Sequence, residues 1–282
     1  MKKYLVLSIF LILSIFFVFL YQTKLSSIPS ISYFPLDKET HFVNAKTNLD
    51  IKKQKVNKKY TITWNVLSKS DKNMYLRQDV SLLFNNGKLM GALSKWHEDE
   101  ETLQLNAQLQ SEGTGYLQSL SYHHGEIHYP SGAIKSIQQM TYDEIFVVEN
   151  PAGDVHTFHK PKSTKDIDWE KALNDKTSQF LLYHWNKLLS HYQIKKDDYV
   201  IVPLTALNRF NTNELPSMSQ EQTNQIIGQL WEGLYKNYIV PITYKKEQVS
   251  SFVPIILFSK DQNHLLVLFE INGKKERLIQ KY

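Results

Sequence analysis

Cysteine is absent from all 282 residues. That excludes a disulfide framework, thiolate-ligated zinc, a thiol nucleophile and a lipidated N-terminal cysteine. Signatures of known chemistry are missing too: there is no G-x-S-x-G elbow, Walker loop, Rossmann glycine pattern or H-E-x-x-H helix, and no Asn-x-Ser/Thr sequon. No cofactor is implied. The formal net charge is only +5, with Lys2 and Lys3 supplying two of those charges. So mild a balance gives no reason to expect nucleic acid as a partner.

What is present begins with an apolar run. Between Tyr4 and Tyr21 no residue is charged, and at ~1.5 Å per residue the run would be about 27 Å long, close to a bilayer's hydrocarbon thickness. Residues 1–23 are therefore expected to form an uncleaved signal-anchor transmembrane helix, with Lys2 and Lys3 holding the N-terminus in the cytoplasm. A cleaved signal peptide is the rival expectation. It is disfavoured because the run exceeds a usual h-region and no A-x-A-like site closes it. A cysteine-free outer part rich in Lys, Asn, Gln and Ile suits the cell membrane of a Gram-positive bacterium, with the C-terminal domain extracellular.

Residues 24–58 read as a stalk, punctuated by Ser26, Ser27, Pro29, Ser30 and Pro35 and then rich in lysine. Such a basic run is either a collar for anionic surfaces or a solvated linker. From 59 to 162, period-two alternation predicts antiparallel strands, as in Thr102–Leu109. Asn85-Asn86-Gly87 predicts a tight hairpin, because Asn-Gly tolerates positive φ. The acidic run Glu98–Glu101 is expected at a loop or hairpin tip.

Residues 163–282 change character. Asp166 is expected to cap a helix running to about Tyr192, and Ser219 with Gln222 forms a capping-box pattern opening a second helix. Strands flank both helices, the last pair joined by Asn272-Gly273. The expected fold class is α+β: a transmembrane helix, a β-rich region, then a helix–strand–helix–strand region. Whether the two folded regions are one domain or two is open.

One constellation invites a site. His124, Glu126 and His128 would share one face of an extended strand, imidazole and carboxylate suit zinc, and His156 or His159 could add a ligand. Gly125 argues against it, since glycine inside a strand often marks a bulge that would break the shared face. Ordinary structural histidines are the favoured expectation. Aromatics at Trp185, Trp231 and Tyr235 suit helix packing better than a binding patch. The functional expectation is a non-enzymatic accessory, regulatory or assembly module of the cell envelope, partnered by the membrane and by an envelope protein or wall polymer. The alternative is an envelope hydrolase, metal-assisted through the histidine cluster.

Overall fold

A computed structural model describes residues 31–53, 59–150, 154–243 and 249–282. Ile31–Tyr282 forms one compact unit. The expected α+β class is corrected: the chain is mostly antiparallel β, with 53% of residues in strands and a near-barrel sheet. The membrane-spanning helix and the membrane assignment built on it are corrected as well. Among the described residues no helix is long and apolar enough to cross a membrane, and Tyr4–Tyr21 lies outside them.

The first sheet contains β1 (Phe42–Lys53), β2 (Lys59–Asn85), β3 (Lys88–Glu112), β4 (Gly115–His128), β5 (Ile134–Glu149) and β6 (Val155–Phe158). β1 occupies part of the stretch that the sequence suggested was stalk. Its spine is the β2–β3 ribbon, turned at Asn86 and Gly87, whose φ values of 49° and 79° are what an Asn-Gly hairpin needs. The ribbon slips register between Lys69 and Met74. On one side of that irregularity β2 pairs β1, and on the other it pairs β4 along the same edge. Glu98–Glu101 forms no loop; it lies within β3 opposite this irregularity.

β1 therefore meets β4 and β5 through side chains. Thr47 Oγ1 reaches both Ser121 Oγ and Thr141 Oγ1 at 2.6 Å, and Leu49 N–H donates to Asp143 Oδ2 at 2.6 Å. These bonds close the near-barrel where no backbone ladder joins the strands. Inside it Leu49, Tyr60, Ile62, Trp64, Val66, Leu83, Leu117 and Ile145 make an apolar core.

The other face of β2 and β4 carries Val80, Leu82, Phe84, Leu120 and Tyr122 into a larger core. Helices α1 (Thr164–His191) and α2 (Gln220–Leu234) share that core with a four-stranded sheet of β7 (Tyr199–Pro203), β8 (Ile255–Ser259), β9 (His264–Ile271) and β10 (Lys274–Lys281). Both folded regions thus contribute to one core. Ser163, not Asp166, is the N-cap of α1; Asp166 lies one turn in, donating its N–H to the serine and accepting from Lys162 N–H. The α2 capping box forms as expected. Trp185 and Trp231 are core residues, and Tyr122 stacks on Trp231 with ring centroids 4.7 Å apart. Truncating a Trp buried this fully typically costs about 3–5 kcal/mol.

Candidate functional site

Strand pleating puts alternate residues on opposite faces. Arg77, Asp79 and Ser81 on β2, with Ser119, Ser121 and His123 on β4, face the near-barrel interior, and all six are fully buried. Asp79 Oδ2 accepts from Ser68 Oγ at 2.6 Å and stands 2.9 Å from His123 Nδ1. His123 Nε2 is 2.8 Å from Thr141 Oγ1. The chain of hydroxyls continues through Thr47 and Ser121 to Ser81, the last step 2.7 Å.

Arg77 anchors this layer. Its guanidinium donates to Glu101 O at 2.5 Å, to Ser70 Oγ at 3.1 Å and to Ser68 Oγ, and it pairs with Asp79 Oδ1 at 3.6 Å. The Phe42 ring lies 4.8 Å from it. Burial lowers the Arg77 pKa and Asp79 opposes the shift. A buried charge is tolerable only with such pairing and hydrogen bonding.

Asp79, His123 and Thr141 line up as carboxylate, imidazole and hydroxyl, the order of a hydrolase triad. Two features set it apart from a working one. Asp79 and His123 have no exposure, and the Thr141 hydroxyl is already engaged by Thr47. As folded, the line works as a structural relay that satisfies buried polar atoms.

The histidines singled out in the sequence lie elsewhere. β4 runs through Gly125 with unbroken register against both β2 and β5, so the expected bulge is absent and His124, Glu126 and His128 do share a face. They differ in surroundings. His128 pairs with Glu126 at 3.7 Å and stacks on Tyr75, with centroids 3.6 Å apart. His124 is buried in the larger core; the Ser32 backbone approaches its ring without meeting hydrogen-bond geometry. Burial, then the Arg77 charge, pushes its pKa down to about 4. His156 instead meets Asp166 at 2.8 Å, and His159 meets Asp143 at 3.1 Å. Among the described residues no three His, Asp or Glu side chains group closely enough to hold a metal ion.

A groove of about 350 Å³ opens at the outer edge of β5. Ile137–Met140 forms its floor, Leu36–Phe42 one wall, and Phe210–Thr212 with Asn224 and Ile227 of α2 the other. Asn211 is docked on the strand edge like a short piece of backbone: its amide accepts from Met140 N–H at 3.0 Å and donates to Met140 O at 2.7 Å. Sequence reasoning passed over both the polar layer and this groove. The available signal for the layer was polar alternation, Arg77-x-Asp79-x-Ser81 in β2 and Ser119-x-Ser121-x-His123 in β4.

No family model matches this chain, and no curated protein matches it. Among solved structures it is similar to Spo0M, a sporulation control protein from Bacillus subtilis, at 11% identity over 84% of this chain and 90% of that one. The TM-score is 0.18, and the likeness carries no argument about fold or function.

Proposed function

We propose that this protein is a non-enzymatic accessory or assembly module that acts by binding another protein. The observation that carries this reading is the sealing of the Asp79–His123–Thr141 line, whose acid and base are fully buried and whose hydroxyl is held by Thr47. A nucleophile must be reachable by substrate, and a base must be free to take its proton. Here the base is committed to Asp79 and Thr141, and the hydroxyl also to Thr47 of β1. The open edge of β5 offers main-chain groups at the surface instead.

The test is covalent. The full chain is incubated with a fluorophosphonate and with a β-lactone probe, and labelled residues are mapped by mass spectrometry. Thr141 should stay unlabelled in the folded protein. Thr141 labelling that disappears in His123→Asn would sink the proposal and establish a hydroxyl nucleophile.

A further inference from the structure

The outer edge of β5 is partly used by the chain itself. Ser136 N–H donates to Pro35 O and Ser136 O accepts from Asp37 N–H, a short parallel bridge. Four residues on, Met140 is paired in both senses by the Asn211 amide. In an antiparallel ladder every second residue turns its backbone groups outward. Gln138 lies between these two on the same parity, so its N–H and C=O also point out of the sheet, toward the groove. Neither has a partner among the described residues.

The gap has a local cause. Asp37 Oδ1 accepts from the N–H groups of Glu39 and Thr40, at 2.8 and 3.3 Å, and this turn leads the chain away after one bridge. The Gln138 side chain is tied inward, accepting from Tyr122 Oη and donating to Asn224 O. What remains unpaired is a main-chain donor and acceptor, side by side.

We infer that this groove is a docking site for an extended peptide segment of a partner protein, which pairs with the β5 edge in the gap between the Pro35–Asp37 bridge and Asn211; this rests on the binding-module reading. One residue of an incoming strand running antiparallel to β5, the opposite sense to the Pro35–Asp37 bridge, would exchange both hydrogen bonds with Gln138, the pattern of strand addition. Its side chain would turn toward Phe210 and Ile227, and its neighbours' toward Ile137. Of the lining aromatics, Tyr122 and Phe210 are only 1% and 6% exposed, and the half-buried Phe42 ring already packs against Arg77 and His123, so none presents an open ring for a sugar to stack on. The lining carries no lysine or arginine, and its one carboxylate, Asp37, is already engaged by Tyr129 and the Glu39 and Thr40 N–H groups with Lys135 nearby, which favours a neutral segment over a charged one.

The probe is a fluorescein-labelled Thr-Val-Thr-Val-Thr-Lys peptide titrated into the full chain by anisotropy, with hydrogen exchange followed over β5. Saturable binding should slow exchange at Gln138. N-methylation of the central amide, which removes one hydrogen bond, should weaken binding about tenfold. Thr212→Trp, placed on the exposed wall, should weaken it at least as much with an unchanged circular-dichroism melting curve. Equal binding of the N-methyl peptide, no effect of Thr212→Trp, or no binding at millimolar peptide would each overturn the inference. So would protection of β5 by N,N′-diacetylchitobiose and not by the peptide. Labelling of Thr141 would contradict the binding-module reading alone and would leave the peptide titration to be judged on its own result.

Discussion

Gly125 and Arg77 face each other in register on β4 and β2, and the missing side chain of one makes room for the other. A Cβ at 125 would stand 3.2 Å from Arg77 Cδ, 3.2 Å from Met74 Cγ and 3.3 Å from Ile137 Cγ1. Arg77 cannot easily yield, because its guanidinium is held at several points. Gly125→Ala should therefore cost about 1 kcal/mol and Gly125→Val about 3 kcal/mol, the range of overpacked cores. Urea denaturation checks both, and a neutral Gly125→Val would show that Arg77 has room to move.

Arg77 and Asp79 should behave as a coupled pair. Asp79→Leu alone leaves a buried guanidinium without its counter-charge and should cost about 3–5 kcal/mol. Arg77→Met with Asp79→Leu removes both charges, so the double variant should cost clearly less than the two single losses together. A double-mutant cycle by chemical denaturation reads the coupling. Strict additivity would mean that the 3.6 Å pair contributes nothing.

His124 should make the fold acid-sensitive in a defined window. Its folded pKa of about 4 lies below the ordinary value of 6.5, so the unfolded chain binds the proton first. Its contribution to stability is complete above pH 6.5 and is lost as pH falls toward 4, about 3 kcal/mol in all. Arg77, Asp79 and Glu232 are the charges acting on it, Arg77 pushing the pKa down and the two carboxylates pushing it up. His184 is shifted in the same direction, mainly by burial, so the readout is a difference. His124→Leu should flatten the pH dependence between 6.5 and 4 relative to the parent chain, by urea titration at fixed pH steps. Parallel curves would refute the assignment.

Local signals in the sequence proved accurate where the chemistry is local. Asn86-Gly87 and Asn272-Gly273 turn their hairpins with positive φ at both residues, and Ser219 with Gln222 caps α2. Alternation in Thr102–Leu109 predicted its strand correctly, whereas Gly125 was expected to break the shared face of β4 and does not. Alternation could not show that the polar face is buried. Ser119, Ser121 and His123 look solvent-facing beside Leu120 and Tyr122, yet β1 and the bent ribbon cover them. That cover depends on the register slip between Lys69 and Met74, within a Ser-Asp-Lys-Asn stretch whose composition resembles a turn. The groove was hidden for a related reason: it depends on which backbone groups a strand leaves unpaired, and side-chain identity does not encode this directly.

The ribbon also sets an order of events during folding. Asn85 and Lys88 are near neighbours in sequence, whereas Lys59 and Glu112, the far end of the same pairing, are joined only by a long loop. Zipping outward from Asn86-Gly87 avoids most of the entropy of closing that loop in one step. β1 can complete its seam only after the ribbon has passed its register slip, because Thr47 bonds to residues of β4 and β5 across the interior. The polar layer should thus assemble late. Replacing Gly87, whose Cβ would fall 2.9 Å from Leu181 in a left-handed turn, should slow folding at its first step, whereas replacing Thr47 should mainly speed unfolding.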